Sequence, residues 1–336
     1  MTSPRLAAIA AATAILLALG GCASVDPAPS TAPDTGEFPV TIEHAFGETE
    51  IKAEPTRVLT LGWGSTDAAI ALGVVPVAME AQAYGGDKNG VLPWVAQALD
   101  KIGAKTPTVL PASTEQPAYE QIAEAAPDLI LAVYSGITEE QYKLLSDIAP
   151  TVAYPDAAWS TPWKDVVTTV GKALGKTAKA ASVLADIDTV MAKQAAAHPQ
   201  LRDKTVAAVW DVGGTFYVYR AADPRVSFLF DLGLVGAPAV DALASGTSTF
   251  FYTLSYEELD RLDSDILVAF SDTEDEAKTF LAAGYARTIP AVASGAVASV
   301  TGVDLIAAVS PPTALSLTWG IDRYVRLLAD AAAALG

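Results

Sequence analysis

Along residues 38–154, short apolar runs alternate with stretches in which apolar positions recur every three or four residues. The runs 58–61, 74–79, 129–134 and 151–154 predict buried strands, and 65–72, 93–99, 119–125 and 139–148 predict amphipathic helices. Ahead of them, 40–43 and 49–51 predict a hairpin joined through Phe46 and Gly47. Ser65 or Thr66 is placed to cap the helix that follows the first buried strand. The alternation resumes in the second half, with strands at 206–210, 216–219, 266–270 and 296–300 and helices at 227–232, 255–262 and 314–334. Strand and helix in repeated succession imply an α/β fold.

Between the halves, residues 177–198 contain no Gly and no internal Pro. Val183, Leu184, Ile187, Val190 and Met191 share one helical face, with Lys179, Asp186 and Lys193 off it. A helix of this length spans roughly 33 Å, enough to act as a stiff connection between two lobes. The halves also repeat a unit. A glutamate opens a helix and an aspartate closes it before an apolar strand, in Glu120 to Asp128 and again in Glu257 to Asp265, both pairs 137 residues apart (257 − 120 and 265 − 128). Two similar α/β halves leave a cleft where they face each other. The expected architecture is therefore two Rossmann-like lobes, 38–175 and 200–336, joined by one long α-helix at 176–199, with the ligand cleft between them.

The N-terminus has a different character. Arg5 precedes an apolar stretch of 14 residues, Leu6 to Leu19, too short for a stable membrane span and typical of a signal-peptide core. Leu19-Gly20-Gly21-Cys22 then places small residues before the chain's one cysteine, a pattern that resembles the lipobox of bacterial lipoproteins. That resemblance implies cleavage after residue 21, lipidation of Cys22 and an extracytoplasmic, membrane-anchored protein. Residues 22–37, rich in Pro, Ser, Thr and Ala, read as a flexible tether. One cysteine allows no intrachain disulfide.

Charge narrows the partners. Removing the leader takes away Arg5 as its only charged residue, so 21 basic groups become 20 against 39 acidic ones, a net of −19. Such a surface repels nucleic acid and anionic lipid head groups and suits a basic protein partner or solubility alone. Only His44 and His198 are present, far apart in sequence, so a histidine metal site or a histidine-based catalytic triad is unsupported. Both read as surface or capping residues. The loop Gly62-Trp63-Gly64-Ser65-Thr66-Asp67 has the strand-to-helix setting of a dinucleotide fingerprint, but Asp67 stands where the third glycine would be. Trp63 reads instead as a platform for a ligand at the carboxyl end of a strand. Trp94, Tyr134, Trp159, Tyr217, Tyr219, Arg220, Phe250 and Tyr252 fall at comparable places and form the candidate ligand set, with Phe251 and Arg225 beside them. Core packing is the competing role for each of these aromatics. Trp163 and Trp319, at helical spacing with other apolar residues, are assigned to the core.

Phe46-Gly47-Glu48-Thr49, Pro55-Thr56-Arg57-Val58, Ala71-Leu72-Gly73-Val74, Pro127-Asp128-Leu129-Ile130, Gly171-Lys172-Ala173-Leu174-Gly175 and Leu254-Ser255-Tyr256-Glu257 together resemble the iron-siderophore substrate-binding lipoproteins of ABC importers. The resemblance runs through nearly all of residues 38–336. It implies a two-lobed, monomeric binding protein rather than an enzyme, with no cofactor of its own. Its iron arrives as a ferric siderophore, and Glu120 and Glu257 match the glutamates with which that family docks on permease arginines. Favouring a helix N-terminus is the alternative role of each glutamate. The scarcity of cations among the candidate residues favours a ferric hydroxamate over catecholate or citrate complexes. Haem or cobalamin on the same fold is the main alternative, and an extracytoplasmic enzyme or a surface interaction scaffold is a more distant one.

Overall fold

A computed structural model describes residues 36–112 and 116–336. The leader, Cys22 and the tether up to residue 35 lie outside the described residues. Val40–His44 (β1) and Gly47–Ile51 (β2) form the expected antiparallel hairpin. His44 is buried within it, contrary to the surface or capping position expected. Its Nδ1 accepts the Phe46 amide and its Nε2 lies 2.9 Å from Thr49 Oγ1. Burial lowers its pKa, and an accepting Nδ1 fixes the neutral tautomer with the proton on Nε2. His198 does sit at a helix end, following Thr177–Ala197.

The first sheet contains Val58–Thr60 (β3), Ala78–Glu80 (β4), Thr108–Leu110 (β5), Leu129–Leu131 (β6) and Thr151–Val152 (β7). Their order is β5-β4-β3-β6-β7 and every pair is parallel. A parallel sheet is covered on both faces, which is why its strands read as unbroken apolar runs. β3 and β6 are buried at every position.

The second sheet departs from simple repetition. Thr205–Val212 (β8), Thr215–Tyr219 (β9), Val235–Gly236 (β10), Phe251–Leu254 (β11), Ile266–Ser271 (β12) and Val297–Thr301 (β13) form it, in the order β11-β9-β8-β12-β13 with β10 beside the start of β8. β8, β12 and β13 are parallel, but β9 and β11 are antiparallel additions. The connecting helix Thr177–Ala197 buries Ile187 and Met191 as its apolar face requires. The core it joins is shared: Val58, Leu129, Ile187, Val206, Ile266 and Tyr324 belong to one continuous cluster.

The repeated aspartates are structural fasteners. Asp128 Oδ2 accepts the amide and the hydroxyl of Thr56 at 2.8 Å each, and Oδ1 accepts the Arg57 amide at 2.9 Å. Asp265 Oδ2 accepts the amide and hydroxyl of Thr205 at 2.7 and 2.9 Å. Each aspartate thus ties the start of its strand to the strand beside it, β6 to β3 and β12 to β8. The Thr205 amide is the main reason the Asp265 carboxyl sits below the ordinary range; at Asp128, burial pushes upward and the Thr56 and Arg57 amides outweigh it.

The helix is not the only link between the sheets. The segment after β13 returns to the first sheet, where Pro311 accepts the Trp63 indole N–H at 2.9 Å and Trp319 packs against Trp94 at 5.5 Å. The Thr313 hydroxyl and the Trp94 indole N–H both donate to Oδ1 of Asp67, the latter at 2.6 Å. Asp67 is 1% exposed, and its burial raises its pKa to about 6 against the lowering effect of those donors. Gly64, with φ 76°, precedes this helix, Ser65–Ala71; neither Ser65 nor Thr66 caps it. Ser65 is buried and the Thr66 hydroxyl pairs with that of Thr60 at 2.8 Å.

Two outcomes follow from these carboxylates. Asp265→Asn or Asp128→Asn is expected to lower stability by about 1 kcal/mol at neutral pH in denaturant titrations, a value kept small because Asp128 is exposed and Asp265 only half-buried. Because both folded pKa values lie below the unfolded one, that deficit should close as pH falls below 3.8; a deficit unchanged in acid would contradict the assignment. Asp67 has the opposite sign: its folded pKa is the higher one, so its contribution is full below 3.8 and is lost as pH rises through about 6. Asp67→Asn should therefore gain on the wild type by on the order of 2 kcal/mol between acid and neutral pH, read from unfolding at each pH.

Candidate ligand cleft

A cavity of about 610 Å³ opens between the two sheets. Tyr134, Trp159 and Trp163 wall it on the first-lobe side, Arg225, Phe250 and Phe251 on the other, and Ser310 and Pro311 of the returning segment also line it.

Two glycines set the aromatic wall. Gly62, at φ 71°, lets the loop after β3 approach so closely that a Cβ there would lie 2.2 Å from the Tyr134 carbonyl oxygen. Trp63 N–H donates to that carbonyl at 2.9 Å, so Trp63 and Tyr134 are held side by side. The glycine thus serves backbone approach, not a phosphate. Gly136 plays the same part for Trp159, because a Cβ there would meet the indole Nε1 at 2.2 Å. Trp159 itself has φ 58°, a left-handed conformation uncommon for a bulky residue, and is 52% exposed. Its ring meets Tyr134 edge-on at 5.7 Å. A strained, exposed tryptophan at a cavity mouth is the kind of outlier that marks a binding site.

The opposite wall is built by Arg225. Its Nε and Nη2 donate to the two oxygens of Asp223 at 2.8 and 3.0 Å, and its guanidinium lies 3.9 Å from the Tyr219 ring centroid. Asp223 also accepts the Arg225 amide at 2.9 Å, capping the helix Pro224–Phe230. Burial pushes the Tyr219 phenol up to about 12 and raises that of Tyr134, so both stay uncharged at neutral pH.

The expected ligand residues divide. Tyr134, Trp159 and Phe250 reach the cavity. Trp63 lines a small adjoining void with Trp163 and Pro311. Trp94 does not: it is 1% exposed, packed between Trp63 and Trp319 with its N–H on Asp67. Tyr252 is 3% exposed in the core of the second lobe, and Tyr219 lies beneath Arg225. Tyr217 supports Phe251 edge-on at 5.6 Å. Arg220 turns away to donate to the Ser248 carbonyl at 2.9 Å, holding the turn that presents Phe250. In the other direction, Trp163 packs against the core to which helical spacing assigned it and lines the cleft as well. The preceding Thr161-Pro162 was the available signal, since proline there marks a helix start and Trp163 is its first residue.

Glu120 lies in the first turn of Tyr119–Glu124 and Glu257 in the first turn of Tyr256–Arg261. Both are exposed, one in each lobe. Among the described residues no cluster of three or more His, Cys, Asp or Glu side chains is arranged to hold a metal ion, and no helix is long and apolar enough to cross a membrane.

Comparisons with known proteins agree with this geometry. The family model described as periplasmic binding protein matches residues 58–302. A Bacillus subtilis protein named probable siderophore-binding lipoprotein YfiY is 30% identical over 243 residues, covering 71% of this chain and 70% of the relative. Among solved structures, Streptococcus pneumoniae PiaA in complex with ferrichrome is 32% identical with a TM-score of 0.76, covering 88% of this chain and 99% of PiaA. A periplasmic solute binding protein from Mycobacterium smegmatis is 29% identical with a TM-score of 0.73, covering 87% of this chain and 98% of that one. With a two-sheet body, an aromatic cleft between the sheets and a family match over most of its length, the chain belongs to the periplasmic binding protein family.

Proposed function

We propose that this protein is an extracytoplasmic lipoprotein, anchored through Cys22, that captures a ferric siderophore of the hydroxamate type and delivers it to an ABC import permease. The lobes 38–175 and 200–336 close about the 176–199 connection, and the protein acts as a monomer. The observation that carries the reading is the cleft itself, walled by aromatics and with every lining cation already paired. Arg225 is bound by Asp223, and Lys164 lies 2.8 Å from Asp188. Asp165 and Asp231 add two more carboxylates to the lining. Three hydroxamates neutralise ferric iron, whereas catecholates and citrate leave anionic complexes that such a lining disfavours. YfiY by its name and PiaA by its bound ferrichrome support the iron-chelate class. The iron enters already coordinated, so it is cargo and asks for no protein ligands.

Ferric siderophores quench nearby tryptophan emission, so a titration of the mature protein is expected to show saturable quenching with ferric trihydroxamates. Trp159→Ala should weaken that binding by about 1–2 kcal/mol, roughly 5- to 30-fold in Kd. Saturable binding of haem or cobalamin with no response to any ferric chelate would replace this reading with the alternative ligand.

Glu120 and Glu257 present one carboxylate per lobe, a spacing that a basic permease surface can read as lobe separation. Attraction between exposed charges steers encounter and weakens with salt. Reversing both, Glu120→Arg with Glu257→Arg, should abolish uptake of the iron chelate by cells while leaving the Kd of the purified protein within about twofold. A matching loss of chelate affinity would place these residues in the ligand site instead.

A further inference from the structure

We infer that Asp223 is a specificity-determining residue that tunes the cleft toward uncharged iron chelates by neutralising Arg225. The inference rests on the siderophore reading and deepens it to a rule of ligand charge.

A guanidinium on the wall of an aromatic cleft would ordinarily attract anions, because low-dielectric walls strengthen its field. Here its counter-charge is built in. Asp223 is 1% exposed, and both of its oxygens engage Arg225 in a bidentate pair. The pair is fixed from several sides. Asp223 caps the helix on which Arg225 sits, its own amide donates to the Arg220 carbonyl at 2.9 Å, and Tyr219 stacks under the guanidinium. Arg225 therefore keeps its shape and its Nη1 donors while its net charge is cancelled. The remaining charged groups on the lining add nothing positive: Lys164 is paired with Asp188, and Asp165 and Asp231 are acidic. An anionic chelate entering this cleft meets carboxylates without a free cation, whereas a neutral one meets hydrogen-bond donors and rings.

The test uses the whole mature protein, one neutral ferric trihydroxamate and one anionic ferric tricatecholate, and reads the ratio of their Kd values. Asp223→Asn, nearly isosteric and still able to cap the helix, should shift that ratio by about tenfold toward the anionic complex. The double variant Asp223→Asn with Arg225→Gln should return it toward the wild-type value. A folded Asp223→Asn variant, verified by near-ultraviolet circular dichroism, with an unchanged ratio would overturn the inference.

A second measurement needs no substitution. If the wild-type cleft has no net attraction for anions, lowering the ionic strength should leave tricatecholate binding unchanged or weaken it. Tighter tricatecholate binding at low salt would overturn the inference while leaving chelate capture intact. Failure of the wild type to bind either probe would overturn the siderophore reading as well, so the two failures are distinguishable.

Discussion

Burying a carboxylate is costly unless donors surround it, and Asp67 is buried with Trp94 and Thr313 as its side-chain donors. Trp94 comes from the helix Pro93–Ile102 of the first lobe, and Thr313 from the segment that returns after the second sheet. Removing either donor would leave a buried charge under-satisfied, so the carboxylate fixes which groups of the two parts of the chain meet, although its ionised form costs stability at neutral pH. The same segment carries Pro311, which accepts the Trp63 indole and lines the cavity. One buried acid thereby positions part of the ligand cleft, far along the sequence from the residues it touches.

Around that anchor, the cleft is organised by shape on one wall and by charge on the other. Gly62 and Gly136 admit close approaches that no side chain would allow, and these set Trp63, Tyr134 and Trp159 as rings with little freedom. Rigid rings lose little entropy on binding. Across the cavity, Arg225 keeps donors on the wall while Asp223 removes its net charge. The protein as a whole is strongly acidic, an excess of carboxylates that favours solubility.

The two halves share a device that the repeated spacing exposed only in outline. In both, an aspartate just before one strand bonds a threonine at or just before the start of the neighbouring strand. The glutamates eight positions earlier make no such tie and stay at the surface. One spacing thus ties the sheet through the aspartate and leaves the glutamate at the surface in both halves, although the sheets themselves differ. The second sheet adds antiparallel β9 and β11, and the first is parallel throughout.

Much of this was legible in the residues alone. Apolar period fixes strand or helix locally, so many of the elements, the connecting helix with its Ile187 and Met191 face, and the α/β class were readable, whereas Thr108–Leu110, Trp163–Ala173, Phe251–Leu254 and Glu274–Ala282 were not. Tyr134 was readable as a cavity aromatic from its place after a strand, since strand ends of open α/β sheets face the ligand side, and Trp159 and Phe250 from their places in loops. Which of the remaining aromatics faced the cavity depended on contacts across long sequence separations. Trp94 went to the core because Asp67 needed its N–H, and Trp163 reached the cleft because its helix begins at the rim. Arg225 rather than Arg220 lines the wall because Ser248 holds one and Asp223 presents the other. Sequence determined what each segment could form, since that is governed by local periodicity and turn chemistry. Only the tertiary structure decided which polar groups were left to find partners, and those pairings chose the residues that line the cavity.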